Sequence, residues 1–165
     1  MEQTVSNQIS IRPAVPSDAA TILHFINELA IYEKEPDAVK TDENAILKTL
    51  FSEGATAHSV ICLEGDIAIG FAVYFYNYST WLGKNGLYLE DLYVSADSRG
   101  KGAGKKIMQY LAKQALEKDC GRFEWVVLDW NKPAIDFYDS IGAKPQNEWI
   151  IYRLTGQELI DFANQ

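Results

Sequence analysis

The passage through residues 86–128 constrains the fold more than any other part of the chain. Its hydrophobic pattern predicts a strand at residues 86–94, a long amphipathic helix at residues 101–118 and a second strand at residues 123–128. Two strands joined through a helix lie parallel, because the chain must cross over to run again in the same direction. The chain is therefore expected to contain a parallel β-α-β unit.

Shorter patterns place the other elements around this unit. We predict further strands at residues 9–12, 59–63, 67–76 and 149–154, and further helices at residues 16–32, 42–51, 133–140 and 156–162. The Glu64-Gly65-Asp66 turn joins two of these strands as an antiparallel hairpin. The predicted fold class is α/β with α+β character: a mixed, mostly antiparallel central sheet with helices on both faces. We expect a flexible tail at residues 1–8 and a single domain at residues 9–165.

The charge balance limits the classes of partner. The chain carries 23 acidic and 15 basic residues, a formal net charge of −8. Non-specific nucleic-acid binding needs a basic face, so no nucleic-acid partner is expected. An acidic surface attracts small cations, although acidity that serves only solubility would look the same. No apolar run approaches the roughly 18 residues of a membrane span and the N-terminus has no signal-peptide core, which predicts a cytoplasmic protein with no membrane partner.

Metal and serine chemistry are not expected from the sequence. The two cysteines, Cys62 and Cys120, form no CxxC pair. The two histidines, His24 and His58, belong to no spaced group of metal ligands, and no GxSxG elbow is present. We therefore predict that no metal is bound.

A glycine-rich segment at residues 99–106 lies between the predicted strand and the long helix. Its glycines let backbone N–H groups approach a ligand, and the helix start adds further donors, so the segment suits a phosphate or pyrophosphate. It is neither a P-loop nor a Rossmann loop, because Lys105 stands where each pattern requires glycine. The segment holds four basic side chains and no acidic one, which favours an anion. The alternative is a plain turn with solvated lysines.

Two motifs in this order carry a family resemblance. The first is R-x-x-G-x-G at residues 99–104, and the second is N-x-x-A-x-x-F-Y-x-x-x-G at residues 131–142. Together they resemble the GNAT acetyltransferase superfamily. The resemblance implies a GNAT-like fold, with acetyl-CoA (coenzyme A) as co-substrate at the parallel β-α-β unit and no metal.

A closer similarity, to the diamine (spermidine/spermine) N-acetyltransferases, extends over nearly the whole chain and includes residues 87–91 and 129–131. The tight turn at residues 64–66 departs from the polyamine enzymes of animals, which carry a long polar insertion there. Related members prefer thialysine or other lysine-like amines. The implied acceptor is thus a small cationic amine, either a polyamine or diamine or a thialysine-like compound. The family is commonly dimeric, which implies a homodimer.

The resemblance implies three sets of cofactor-binding residues. A bulge in the central strand would expose amides to the acetyl carbonyl, the glycine loop would bind the pyrophosphate, and the second motif would line the thiol. In this chain those residues are Leu92, Tyr93 and Val94 of the strand, Arg99, Gly100, Lys101, Gly102, Ala103, Gly104 and Lys105 of the loop, and Asn131, Lys132, Pro133 and Tyr138 of the second motif.

Acetyl transfer to an amine needs a proton acceptor, oxyanion donors and a proton donor for the leaving thiolate. Free alkyl amines have a pKa near ~10.4 and are mostly protonated at neutral pH, so a base must act. Glu90, at the end of the central strand, is the candidate base, or else an anchor for the cation. By resemblance Tyr138 is the general acid, the alternative being a packed core aromatic. Acidic and aromatic side chains are expected to bind the acceptor, and the candidates are Tyr32, Glu33, Trp81, Glu90 and Asp91.

Two other functions fit the same motifs. One is acetylation of a protein N-terminus or lysine, which would need a groove for a peptide. The other is a non-catalytic module that binds acetyl-CoA. The presence of Tyr138, Glu90 and an acidic stretch at residues 28–43 argues for catalysis.

Overall fold

The computed structural model describes residues 8–165. These residues form two compact units, one ending at Val126 and one running from Val127 to Gln165. Apart from Gln8, the predicted tail at residues 1–8 lies outside the described residues, and the single domain stays a prediction. Within residues 8–165, no helix has the length and apolar character that a bilayer crossing requires.

The first unit is built on a five-stranded sheet with the order β1-β2-β3-β4-β5. The first four strands pair antiparallel in sequence, and β5 pairs parallel with β4. The mixed, mostly antiparallel sheet and its parallel β-α-β unit are therefore confirmed. The strands are β1 Ile9–Pro13, β2 Ala57–Glu64, β3 Ile67–Ser79, β4 Lys84–Val94 and β5 Arg122–Trp125. The helices are α1 Ala19–Tyr32, α2 Glu43–Leu50 and α3 Ala103–Glu117, with short 3-10 turns at Pro16–Asp18, Pro36–Ala38 and Ala96–Ser98.

Carboxylates fix the starts of the first two helices. The Asp18 side chain accepts hydrogen bonds from Arg12 Nη1 at 2.7 Å and from the Val15 amide at 2.8 Å. The ion pair with Arg12 lowers the pKa of Asp18, so the carboxylate stays charged just before α1. Asp42 caps α2 by accepting from the Ala45 amide at 2.8 Å. The Asp42 bond satisfies a donor that a helix start leaves unpaired, whereas Asp18 closes the 3-10 turn that leads into α1.

Helices cover both faces of the sheet, as predicted. One core cluster joins α1 and α2 to the face that carries Ile61, Phe71 and Tyr93, which we call the α1 face. Neighbouring strand residues point to opposite faces, so Leu92 lies on the other side. There its Cδ2 atom comes within 4.0 Å of the position that a Cβ would take at Gly104 of α3. We call this second side the α3 face.

The second unit contains two helices, α4 Lys132–Ser140 and α5 Gly156–Ala163, as predicted. The strand predicted at residues 149–154 is wrong, because the described residues there form no ladder. The apolar run favours a strand by composition alone, whereas a strand exists only when another backbone pairs with it. The nearby amide of Trp149 instead donates to the Gln146 carbonyl at 3.1 Å, which is a turn. The strand predicted at residues 123–128 likewise ends early, at Trp125.

Candidate active site

A β-bulge in β4 organises the site. Asp91 pairs with Val73 and Leu89 pairs with Tyr74, so Glu90 is an extra residue with no partner on β3. An extra residue reverses the side to which the following residues point. Leu89 is buried opposite Tyr74. Burial raises the pKa of Tyr74, and nearby Tyr110 of α3 raises it as well. The Leu89–Tyr74 pair therefore lies on the α3 face. The bulge that the family resemblance implied is present, and beyond it Asp91 and Tyr93 point to the α1 face.

Past the bulge, one edge of β4 is open. Among the residues that the structure describes, β5 pairs with β4 only at Gly86–Leu89. The Ser95 amide donates to the Ile69 carbonyl of β3 at 2.8 Å. Because backbone groups of an antiparallel pair alternate in direction, the Tyr93 amide also faces β3, and the amides of Leu92 and Val94 face the open edge. Two of the three residues predicted to meet the acetyl carbonyl, Leu92 and Val94, thus have amides that point away from β3.

The charges of Glu33 and Glu90 act on Asp91 beside the bulge, and we call these three carboxylates the acidic cluster. Burial, the largest cause, and the charges of Glu90 and Glu33 together raise the pKa of Asp91 to about 6. Burial also raises the pKa of Glu33. A cation would offset the repulsion that Glu90 and Glu33 exert on ionised Asp91, so the cluster is electrostatically suited to a cation. Glu33 reaches the cluster because it directly follows α1, and Asp91 because the bulge turns it to that face.

Trp81 is not brought to the acidic cluster within the first unit. It lies in the turn between β3 and β4 and is 89% exposed. From Lys84 to Asp91 the strand advances on the order of 20 Å at 3.3 Å per residue. Its predicted role in acceptor binding has no support from this geometry, because the hairpin carries it to the opposite end of β4.

Tyr32 and Tyr93 hold the guanidinium of Arg99. The guanidinium carbon lies 4.9 Å from the ring centre of Tyr32 and 5.4 Å from that of Tyr93. Arg99 Nε also donates to the Val94 carbonyl at 3.1 Å. The Tyr93 hydroxyl donates to Glu28 Oε2 at 3.5 Å, and burial raises the pKa of Tyr93.

The glycine loop presents backbone donors at the start of α3. Gly100 and Gly102 have φ of 81° and 79°, a left-handed conformation that favours glycine. The first intrahelical bond runs from the Lys106 amide to the Gly102 carbonyl at 3.0 Å. The preceding amides of Ala103, Gly104 and Lys105 therefore have no acceptor within the helix. This arrangement fits a pyrophosphate, as predicted from the sequence.

The Lys101 side chain has a partner within the first unit, and its predicted contact with the cofactor stays a prediction. Its ammonium is bonded to Glu64 of β2, with Nζ 3.1 Å from Oε1 and 3.0 Å from Oε2. The side chain thus ties the loop to the sheet, while Lys105 is exposed on α3. The structural roles of Glu64 and Glu28 were not predicted, since each partner is 37 or more residues away in the sequence and no local pattern indicates the contact.

In the second unit, the residues of the second motif gather at α4. Asn131 caps the helix by accepting from the Ala134 amide at 3.4 Å, and Pro133 occupies the first turn. Lys132 Nζ bonds both oxygens of Asp136, at 2.8 and 2.9 Å. Tyr138 lies farther along α4, with its ring centre 5.8 Å from that of Phe137. Across residues 8–165, no group of three or more His, Cys, Asp and Glu side chains could hold a metal ion.

Known proteins resemble this chain in sequence and in fold. A sequence model of the acetyltransferase (GNAT) family matches residues 23–143. The chain is 38% identical over 168 residues to thialysine N-epsilon-acetyltransferase of Sus scrofa, covering 95% of this chain and 98% of that protein. It is 32% identical over 173 residues to spermidine/spermine N(1)-acetyltransferase-like protein 1 of Homo sapiens, covering 99% of this chain and 25% of that protein. The solved structure of an integron cassette protein from the V. cholerae mobile metagenome matches with a TM-score of 0.80 and 29% identity, over 95% of this chain and 98% of that one.

Proposed function

We propose that this chain, which belongs to the acetyltransferase (GNAT) family, transfers the acetyl group of acetyl-CoA to the primary amine of a small cationic acceptor. The acceptor class is a polyamine, a diamine or a thialysine-like amine. The acidic cluster of Glu33, Glu90 and Asp91 beside the open edge of β4 is the observation that carries the proposal. Two relatives, named for thialysine and for spermidine or spermine, support the same class.

Electrostatics favours a cation at the acidic cluster. Repulsion from Glu90 and Glu33 contributes to the raised pKa of Asp91. An ammonium group placed among the three carboxylates would offset that repulsion and lower the pKa of Asp91 again. Acceptor binding and ionisation of Asp91 therefore reinforce each other, which gives selectivity for amines that carry a positive charge.

The same carboxylates supply the proton acceptor. The acceptor must lose a proton before its nitrogen can attack, and a base works best when its pKa lies near the working pH. The Glu90–Asp91 pair takes up this proton, directly or through a water molecule. Asp91 suits the task because its pKa is raised to about 6. Glu90 is exposed and lies at the bulge, where the amine would approach.

The remaining chemistry falls to the open edge of β4 and to Tyr138. The amides of Leu92 and Val94 are turned toward the open edge and would donate to the acetyl oxygen as negative charge develops there. Tyr138 is the proton donor to the leaving thiolate, an assignment supported by its position in the second motif. The first-turn amides of α3 and the Lys105 side chain would bind the pyrophosphate. A homodimer and a cytoplasmic location stay predictions from the sequence.

The test is release of free CoA thiol from acetyl-CoA with putrescine, spermidine, spermine, lysine, thialysine or a generic peptide as acceptor. Each acceptor is assayed with wild type, Tyr138→Phe and the matched control Tyr78→Phe, which alters a 58% exposed tyrosine of β3. We expect turnover with at least one free amine, a sharply reduced kcat for Tyr138→Phe, and wild-type rates for the control.

Other outcomes assign the function elsewhere. Turnover with the peptide but with no free amine would identify a protein or peptide N-acetyltransferase. Acetyl-CoA binding without turnover of any acceptor would identify a binding module. Equal kcat values for wild type and Tyr138→Phe would remove Tyr138 from the proton-donor role while leaving the acceptor assignment intact.

A further inference from the structure

Arg99 contacts three features of the first unit at once. Its guanidinium packs against the ring of Tyr32, at the end of α1, and against the ring of Tyr93, in β4. Its Nε donates to the Val94 carbonyl at the open edge of β4. A charged guanidinium against two aromatic faces is an attractive arrangement, and the hydrogen bond fixes its orientation.

Both tyrosines lie next to acceptor-site carboxylates. Tyr32 directly precedes Glu33, and Tyr93 lies two residues beyond Asp91 on the same face. A shift of the α1 terminus relative to β4 would therefore change the separation of Glu33 and Asp91. The segment that carries Arg99 also begins the glycine loop, so one side chain connects the cofactor loop with the acidic cluster.

We propose that Arg99 is a positioning residue that holds the end of α1 against β4 and so sets the geometry of the acceptor site. This inference rests on the proposed function for the identity of the acceptor. It differs from the role that the sequence suggested for Arg99, which was a ligand of the cofactor.

The contacts favour positioning over phosphate binding. One guanidinium donor is used by the Val94 carbonyl, and the plane of the group is engaged by two rings. The pyrophosphate fits the first-turn amides of α3, with Lys105 as the nearby exposed cation. A lysine at position 99 would keep the positive charge but would lack the planar group that the two rings contact.

The test separates acceptor binding from cofactor binding. Arg99→Gln, Arg99→Lys and Tyr32→Leu are compared with wild type by the KM for the best amine, by kcat, and by the Kd for CoA from calorimetry. We expect the acceptor KM to rise roughly five- to tenfold in all three variants, the size set by a cation–π contact together with a hydrogen bond. The Kd for CoA and kcat should change by less than about threefold.

Two further variants serve as references. Lys105→Gln should weaken CoA binding and leave the acceptor KM unchanged, which is the signature of a cofactor contact. Lys113→Gln removes a positive charge from an exposed position on α3 and should change neither value. If Arg99→Gln behaves like Lys105→Gln, with a tenfold weaker Kd for CoA and an unchanged acceptor KM, the positioning role is refuted.

A second measurement tests the contact between Arg99 and α1 without turnover. It applies even if no free amine is a substrate, a result that would by itself refute the proposed function. Thermal unfolding of Arg99→Gln, Tyr32→Leu and the double variant reports the contact without turnover. A double variant whose Tm is no lower than that of the worse single variant supports the coupling of Arg99 to α1. Tm decreases that simply add would overturn it.

Discussion

Replacing Asp91 by Asn is expected to make the protein more stable and less active. Burial and the neighbouring charges of Glu90 and Glu33 raise the pKa of Asp91 from its usual 3.8 to about 6. The folded protein therefore binds a proton more tightly at Asp91 than the unfolded chain does. Stability then falls as pH rises from about 4 to about 6 and stays lowered above that range.

The size of this effect follows from the two pKa values. Each pKa unit corresponds to about 1.36 kcal/mol, so ionised Asp91 lowers the free energy of unfolding by about 3 kcal/mol at pH 7.5. Asn has the same shape and no charge, although its amide must still leave water. We expect a gain of about 1–3 kcal/mol, which is a rise in Tm of about 2–8 °C for a domain of this size. The kcat/KM for the amine should fall because the cation loses a partner.

Urea unfolding at pH 7.5 and pH 5.0 measures the gain. At pH 5.0 about half of the gain should remain, because Asp91 is then mostly protonated in the folded protein and mostly ionised in the unfolded chain. Asp66→Asn is the matched control, since Asp66 is exposed in the turn between β2 and β3 and its loss should change stability by less than about 0.5 kcal/mol. A variant that is no more stable than wild type at pH 7.5, or a gain that is equal at both pH values, would refute the reasoning.

Three other predictions concern the bulge, the loop and the sheet. Glu90→Gln removes a charge that raises the pKa of Asp91, so the acid limb of the kcat/KM pH profile should move to lower pH; an unmoved limb would contradict the coupling. Gly102→Ala should lower the free energy of unfolding in urea by about 1–2 kcal/mol, because φ is 79° there. Gly104→Ala should leave it unchanged or raise it by up to about 1 kcal/mol, since its Cβ would make only an ordinary contact at 4.0 Å. Equal costs would exclude backbone strain as the cause. Gly70→Ala should lower the free energy of unfolding by about 1–3 kcal/mol, because its Cβ would lie 2.6 Å from a carbonyl oxygen of β4. A Tm equal to that of wild type would show instead that the two strands can separate there.

The elements of the first unit could be predicted because their patterns are local. The apolar runs of β2 and β3 and the apolar stripe of α3 each fall within one segment of sequence, and a parallel β-α-β unit follows from chain direction alone. The wrong prediction of a strand at residues 149–154 shows the limit of prediction from local patterns. Whether an apolar segment pairs depends on another backbone, which the segment itself does not specify.

The site was predicted in its residue types more fully than in its contacts. The glycine motif indicated a backbone anion site, and the structure has the positive-φ glycines and the unpaired first-turn amides that such a site needs. The partners of its charged side chains were not predictable. Lys101 bonds Glu64 across 37 residues of sequence, and Arg99 packs against Tyr32 from another helix. Contacts of this kind depend on how strands and helices pack together, and the glycine motif does not indicate them.

The bulge explains why two adjacent carboxylates can serve one site. In a regular strand Glu90 and Asp91 would point to opposite faces, and Asp91 would share the α3 face with Leu89, among apolar side chains. One extra residue returns Asp91 to the α1 face, where Glu33 at the end of α1 also lies, and leaves Glu90 exposed beside it. The same change of direction places Tyr93 in the α1 core, against which Arg99 can pack. A single irregularity in β4 therefore creates the acidic cluster and also the contact proposed to hold it in place.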